Sequence, residues 1–82
     1  MQATSAQPIH INNVTFRCYH VVGLRFKWVS DDTELEAYRY PHSLTYRAVV
    51  RGELIQKKFR SMQGAMRYAV EVRQSYDGWK ER

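Results

Sequence analysis

The sequence predicts an α+β fold, an antiparallel sheet of three to five strands with one C-terminal helix packed across one face. Two patterns and the length predict it. Apolar and polar residues alternate repeatedly between Ile9 and Phe59, as they do in half-buried strands. After Phe59 the apolar period lengthens to that of a helix. The chain has 82 residues, 44% of them hydrophobic, which is enough for one core and too little for two.

We expect a single α+β domain over residues 9–82, preceded by a flexible tail over residues 1–8. The tail is small and polar and shows no periodicity. It has neither the basic start nor the apolar run of a signal peptide, and no stretch approaches the roughly 20 apolar residues of a membrane span. A soluble, cytoplasmic protein without a membrane partner is therefore expected. The single cysteine, Cys18, rules out an internal disulfide and is expected in the core.

Alternation places the first strands. Residues 14–18 and 24–28 each carry three apolar side chains at every second position, so a strand is expected in each. Residues 30–33 supply the Ser, Asp and Thr side chains that favour a connection. A shorter strand is expected over residues 35–40. Pro41 interrupts it because proline has no amide hydrogen to donate.

A hairpin over residues 44–59 is the clearest local prediction. Arg51 and Gly52 fit a two-residue turn in which glycine accepts the positive φ that such turns require. Counting outward from this turn pairs Leu44 with Phe59 on the inner face of the sheet.

A helix is expected after the hairpin, from about Met62 to Tyr76. Ser61 is a good N-cap because its hydroxyl accepts a hydrogen bond from an unpaired amide, and Asp77-Gly78 is expected to end the helix. The stripe expected to face the sheet consists of Met62, Ala65, Met66 and Ala69.

The charge of the chain is unevenly distributed. Thirteen Lys and Arg against eight Asp and Glu give a net charge of +5. Residues 28–36 carry four acidic residues and no basic one, whereas residues 37–73 carry eight basic residues and two acidic ones. Such a basic surplus is typical of a surface that meets a polyanion or an acidic partner.

The sequence offers no pattern typical of catalysis or metal binding. His10, His20 and His42 are far apart and match no ligand motif. The acidic residues of segment 31–36 lack the glycine and spacing of a calcium loop, so a solvated turn is the favoured interpretation. A phosphate-binding glycine loop and a nucleophile elbow are also missing. We therefore expect no enzyme activity, no cofactor, no metal and no small-molecule substrate.

The outer face of the sheet, opposite the helix, is the expected binding surface. Period-two alternation on both sides of the hairpin turn directs its polar and basic side chains to that face. The candidate contacts are Arg25, Lys27, Arg47, Arg51, Gln56 and Lys58. The alternative is a solubilising face that discourages aggregation at the sheet edge. Tyr38 and Tyr40 lie on one side of a strand, where they either stack unpaired bases or pack into the core.

The hairpin and the helix together carry a further pattern. It consists of Tyr46-Arg-Ala48-Val-Val50-Arg-Gly52, then Phe59-Arg-Ser61, then Ala65 and Ala69. This stretch, residues 46–69, resembles the strand, glycine turn, strand and helix of the APETALA-type DNA-binding domains and of the arm-type domains of tyrosine integrases. The resemblance implies a three-stranded sheet that lies on DNA, usually in the major groove, with the helix behind it. It assigns DNA contacts to Arg47, Arg51, Gln56 and Lys58, and it makes residues 23–28 the first strand, which adds Arg25 and Lys27. The long acidic connection over residues 29–43 and the strand candidate over residues 14–22 depart from the family pattern.

We therefore predict a small, basic, non-enzymatic module that binds nucleic acid through the outer sheet face, with DNA favoured over RNA. The alternative is a protein-interaction module, such as a phage-type inhibitor or regulator, whose basic face docks on an acidic surface of a host protein complex. Charge does not separate the two hypotheses, because a DNA groove and an acidic protein present similar electrostatic fields.

Overall fold

The computed structural model describes residues 2–24 and 26–80, and the side chains of all of these except Gln2, Trp79 and Lys80. It contains one antiparallel sheet and one C-terminal helix, so the predicted α+β class is confirmed. The elements are β1 (Gln2–Ala3), β2 (Ile9–Ile11), β3 (Val14–His20), β4 (Lys27–Ser30), β5 (Leu35–Tyr38), β6 (Arg47–Val50), β7 (Glu53–Leu54) and α1 (Met62–Lys80).

The sheet is wider than predicted. Strands β3 to β7 lie side by side in chain order, and β1 and β2 both pair with the other edge of β3. The sheet is therefore six strands wide, not three to five. The missed strands β1 and β2 have two and three residues, which is too few to show an alternating pattern. Strand β1 comes from the segment read as a tail, and its Ala3 pairs with Tyr19.

Two tight turns connect neighbouring strands. Arg51 and Gly52 both have positive φ, at 50° and 83°, which confirms the predicted turn between β6 and β7. Asn12 and Asn13 adopt φ of 48° and 68° between β2 and β3, a second turn of the same kind. Asparagine tolerates this backbone region because its short polar side chain bonds locally.

The inner face of the sheet carries the core. Cross-strand partners share a face of the sheet, and Trp28 of β4, Ala37 of β5 and Ala48 of β6 form one such row beneath α1. The helix packs mainly on β5 and β6. The buried core consists of Phe16, Leu35, Ala37, Ala48, Val50, Phe59, Ala65, Met66, Ala69 and Val70. The expected core position of Cys18 is confirmed, since its side chain is buried and its thiol is unbridged.

The hairpin register changes after Ile55. Its amide donates to the Ala48 carbonyl at 2.9 Å, as counting from the turn requires. Tyr46 and Phe59 then exchange two backbone hydrogen bonds, of 2.8 and 3.0 Å. Residues 56–58 therefore face a single residue of β6 and bulge out of the ladder.

This bulge overturns one predicted pair. Leu44 does not lie opposite Phe59 in the core, because its side chain is 87% exposed. Phe59 is buried instead against the helix, with its ring centroid 5.2 Å from that of Tyr68.

The helix begins as predicted and ends later. The Ser61 hydroxyl accepts a hydrogen bond from the Gly64 amide at 3.0 Å, so the predicted N-cap is confirmed. The helix continues to Lys80 through Asp77 and Gly78, which were expected to end it. A glycine inside a helix costs only about 1 kcal/mol relative to alanine, so tertiary contacts easily outweigh its effect. Among the residues described, no helix has the length and apolar character needed to cross a bilayer.

Candidate functional site

The outer face of the sheet consists of two rows of side chains across the strands. The first row is Tyr19, Lys27, Tyr38 and Arg47. The second row is Arg17, Val29, Glu36, Val49 and Leu54. The face is therefore a mixture of basic, acidic, aromatic and aliphatic side chains.

Two of the predicted contact residues lie in the first row. The Lys27 ammonium forms an ion pair with Glu36 of the neighbouring strand. The Arg47 guanidinium donates to the Ile55 carbonyl at 3.3 Å, and its Nε is buried without a partner. Both cations therefore already use part of their hydrogen-bonding capacity on groups within the protein, Glu36 for Lys27 and the Ile55 carbonyl for Arg47. The outer face is therefore less available to a polyanion than the sequence predicts.

Arg51 lies at the opposite end of the sheet from Gln56 and Lys58 and from the ends of β4 and β6 that carry Lys27 and Arg47. Its guanidinium bridges Glu34 and Asp77, each at 2.6 Å. The hydrogen bonds to Glu34 and Asp77 raise the pKa of Arg51. Arg51 thus joins the β4–β5 turn, the β6–β7 turn and the last turns of the helix, and its predicted contact with a partner would require breaking these bonds.

The same end contains a second ionic contact between turn and helix. Arg73 of α1 binds Asp32 and approaches Glu34 at 3.5 Å. Partial burial by itself would raise the pKa of Asp32. Hydrogen bonds from the Ser30 hydroxyl, the Glu34 amide and Arg73 outweigh that effect and lower the pKa below its ordinary value. We call this group of residues, Asp32, Glu34, Arg51, Arg73 and Asp77, the ion-pair end.

The other end of the sheet has the opposite character. Three connections meet there because alternate loops of an antiparallel meander lie at the same end. They are segments 21–26, 39–46 and 55–61, and none of them contains Asp or Glu. Together they hold five Lys and Arg, namely Arg25, Arg39, Lys57, Lys58 and Arg60. We call these three segments the acid-free end. Arg25 lies outside the described residues.

The excess cations of the described structure concentrate at this end. Ion pairs to other described residues hold Arg17, Lys27, Arg51 and Arg73. Among the remaining described side chains, Arg39, Arg47, Lys57, Lys58, Arg60 and Arg67 form no such pair. Four of these six belong to the acid-free end. The positive end of the α1 dipole points the same way, since the helix begins directly after segment 55–61 and has no acidic residue in its first turn.

Aromatic rings hold two of these cations in place. The Arg39 guanidinium lies 5.4 Å from the centroid of the Tyr46 ring. The Lys57 ammonium lies 4.9 Å from the Tyr68 centroid and 5.6 Å from that of Phe59. Such cation–π contacts are worth about 0.5–1 kcal/mol at exposed sites and restrict where the charge points. The charges of Arg39 and Lys57 are therefore positioned at the surface without being neutralised.

The acid-free end also exposes apolar side chains. Val22 is 96% exposed, Tyr40 55% and Phe26 45%. The highly exposed Leu44 belongs to the same end. Among the described residues, four of the six exposed large apolar side chains therefore lie at the same end as the unpaired cations.

Tyr38 and Tyr40 share the outer face, as predicted, at the border of the acid-free end. Their rings meet edge to face, with centroids 5.6 Å apart and planes at 87°. Burial, and then the neighbouring Tyr40 hydroxyl, raise the pKa of Tyr38 above its ordinary value. Tyr38 is half-buried, whereas Tyr40 extends into solvent.

The described residues of the predicted site therefore lie in three different places and do not form one patch. Gln56 and Lys58 are exposed in the bulge at the acid-free end, Lys27 and Arg47 lie on the outer face, and Arg51 lies at the ion-pair end. Sequence reasoning missed three cations of the acid-free end, Arg39, Lys57 and Arg60. The sequence does contain a pattern that points to these cations, since segments 39–46 and 55–61 have no acidic residues.

No family model, curated protein or solved structure matches this chain. Within the described part of the chain, no group of three or more His, Cys, Asp or Glu is placed to hold a metal ion. The geometry and charge of its surfaces are therefore the features that indicate a function.

Proposed function

We propose that this chain is a non-enzymatic nucleic-acid-binding module whose contact surface is the acid-free end. The observation that carries the proposal is the separation of charge along the sheet. Acidic residues and their ion pairs gather at one end, while four described cations without ion pairs gather at the other. A cation that forms no ion pair can bind a phosphate group without first breaking a bond to a carboxylate. The acid-free end is therefore the preferred contact for a nucleic-acid backbone.

The exposed aromatic rings favour nucleic acid with unpaired bases. Tyr40 and Phe26 are about half exposed beside the cations. Bases of a single strand stack on such rings, and each stacked base contributes about 1–3 kcal/mol. Lysine and arginine beside them neutralise the backbone. The combination of stacking rings and unpaired cations therefore fits a single strand or a locally opened duplex.

Binding is measured by fluorescence anisotropy with labelled single-stranded DNA, duplex DNA and RNA, in NaCl from about 50 to 300 mM. If about four phosphates are neutralised, the logarithm of affinity should fall against the logarithm of salt concentration with a slope of about −3 for a single strand. Affinity that does not depend on salt, or undetectable binding of all three at low salt, contradicts the proposal.

A matched pair of variants locates the contact. Arg60→Gln and Arg17→Gln make the same chemical change at two exposed positions, one at the acid-free end and one on the outer face beside Asp31. Arg60→Gln should reduce the slope by about 0.7, and Lys58→Gln added to it should double that reduction. Arg17→Gln should leave the slope unchanged. Equal effects of Arg60→Gln and Arg17→Gln would show that only net charge matters.

One observation favours the second candidate, a module that docks on an acidic protein. Val22 and Leu44 are aliphatic and almost fully exposed at the acid-free end, and aliphatic side chains do not stack on bases. They would instead fill apolar pockets of a protein surface whose rim is acidic. Under this alternative, Val22→Ser and Leu44→Ser abolish binding to the protein partner, whereas nucleic-acid binding is undetectable in the parent protein.

A further inference from the structure

A cleft opens on the outer face where it meets the acid-free end. Its volume is about 400 Å³, and it is shallow and largely open to solvent. The lining combines the outer-face residues Lys27, Glu36, Tyr38 and Val49 with Tyr40 and with residues 21–24 of the β3–β4 loop. The cleft therefore contains an aromatic pair, a cation and a carboxylate within one concave surface.

Tyr40 provides a stacking surface in this cleft. The edge-to-face contact with the half-buried Tyr38 favours one orientation of the Tyr40 ring, and 55% of Tyr40 remains exposed. A ring that is held in place loses little conformational freedom when a planar ligand stacks on it.

The ion pair in the cleft supplies both a donor and an acceptor. The side chains of Lys27 and Glu36 are 25% and 23% exposed. Their mutual contact uses only part of their capacity, because an ammonium has three donors and a carboxylate accepts about four hydrogen bonds. Partial exclusion of water strengthens the bonds that remain available. The pair therefore presents a donor next to two acceptor positions.

We propose that this cleft binds an unpaired guanine base of a single-stranded nucleic acid. The base stacks on Tyr40, the Glu36 carboxylate accepts from the guanine N1–H and N2–H groups, and the Lys27 ammonium donates to O6. Guanine is the one common base whose Watson–Crick edge has two adjacent N–H donors beside a carbonyl oxygen. Cytosine offers the carboxylate a single amino group, and thymine and uracil offer a single N–H. This inference rests on the proposed function, since it names the base that the nucleic-acid surface selects.

The test uses thymidine oligonucleotides of about 15 residues, each with one central replacement. Guanine, inosine, adenine, cytosine and unreplaced thymine are compared by anisotropy at one salt concentration. The guanine oligonucleotide should bind about tenfold more tightly than the thymine one. Inosine lacks the 2-amino group and should lose much of that advantage. The ratio of guanine to inosine affinity therefore reports the second bond to Glu36.

Two matched variants assign the preference to the cleft. Glu36→Gln replaces the carboxylate by an amide of the same shape and should reduce the guanine to thymine ratio to about one. Glu53→Gln makes the same change at an exposed position of β7, outside the cleft, and should leave the ratio at its parental value. Tyr40→Ala should weaken binding of every oligonucleotide, whereas Tyr40→Phe, which keeps the ring, should not.

The outcomes separate the two proposals. Salt-dependent binding of all oligonucleotides with equal affinity overturns the guanine site and leaves the proposed function intact. A guanine preference that persists in Glu36→Gln, or an equal affinity for inosine and guanine, also overturns the site. If no oligonucleotide binds, both proposals fail.

Discussion

Phe59 is the residue that decides the register of the hairpin. It pairs with Tyr46 through two backbone hydrogen bonds and packs its ring against Tyr68. Simple counting from the turn would instead place Leu44 opposite Phe59. The two registers bury different side chains, so they predict different stability losses for the same truncation.

Phe59→Ala should lower the free energy of unfolding by about 3–5 kcal/mol, because it removes a buried ring and leaves a cavity. Leu44→Ala should cost less than about 0.5 kcal/mol, because that side chain is exposed. Urea unfolding followed by circular dichroism measures both. Comparable losses for the two variants would contradict the bulged register and restore the regular one.

Residue-level chemistry explains what the sequence predicted in this hairpin and what it did not. The Arg51-Gly52 turn was predictable because glycine is the default residue where φ must be positive. The bulge over residues 56–58 was not predictable. It depends on the packing of Phe59 in the core with the apolar face of the helix. Phe59 pairs with Tyr46, which is two residues closer to the turn than Leu44, its partner in a regular ladder. Tertiary packing of this kind leaves no local pattern in the sequence.

The ion-pair end fastens the helix to two turns of the sheet. Arg73 reaches Asp32 and Glu34 of the β4–β5 turn, and Arg51 reaches Glu34 and Asp77. Ser30 stabilises the same turn through two hydrogen bonds of its buried hydroxyl. The hydroxyl donates to the Asp32 carboxylate at 2.5 Å and accepts from the Leu35 amide at 3.0 Å. The helix therefore runs on past Tyr76, because its last turns are anchored by charge as well as by packing.

The pH dependence of stability should reveal this connection through Asp32. Its pKa is lower in the folded protein than in the unfolded chain, so its carboxylate stabilises the fold above the unfolded-state pKa. That contribution is lost as the pH falls through the folded-state pKa. The stability difference between the parent and Asp32→Asn should be present at about pH 7 and shrink below about pH 4. Thermal unfolding across that range measures it.

Asp31→Asn is the control for this experiment. Asp31 precedes Asp32 in the chain, but among the described residues its carboxylate forms an ion pair only with the exposed Arg17, at 2.9 Å. An exposed pair contributes about 0–1 kcal/mol, so this variant should differ little from the parent at neutral pH. A difference for Asp32→Asn that stays constant down to strongly acidic pH would contradict the role of its ionised carboxylate.

Elements long enough to show a period were predictable, and shorter ones were not. Strand β3 has seven residues and α1 has 19, and both were read from their apolar spacing. Strands β1 and β2 have only two and three residues and were not predicted, because so few residues show no alternating pattern. The prediction of the binding face was also limited, because local alternation does not show which side chains pair across strands. Alternation showed which side chains leave the core, and it did not show that Glu36 would pair with Lys27.

At the scale of the whole molecule, the meander converts a charge pattern along the chain into a charge difference between two ends. The acidic run over residues 31–34 becomes a single turn, and the acid-free segments become the loops of the other end. The sequence predicted a basic half of the chain. It could not predict a basic end, because that requires knowing which connections lie together. Each acidic residue of the ion-pair end forms an ion pair within the fold, so the unpaired positive charge of the described residues lies mainly at the other end.

This difference in charge between the two ends predicts which backbone amides change their chemical shift when a nucleic acid binds. In ¹⁵N-labelled protein titrated with a single-stranded oligonucleotide, amide shifts should concentrate in residues 21–24, 38–46 and 56–62 and in the cleft residues Lys27 and Glu36. Amides of residues 31–34 and 51–53 and of the helix after Arg73 should stay in place, because the partner's charge is attracted to the end that holds no carboxylates. Raising the salt concentration should reverse the first set of shifts together, as expected for one electrostatic contact. Shifts that extend along the outer face as far as Arg17 and Val29, which do not line the cleft, would instead place the contact on the flat outer face. Shifts at the ion-pair end would rule out the acid-free end as the binding surface.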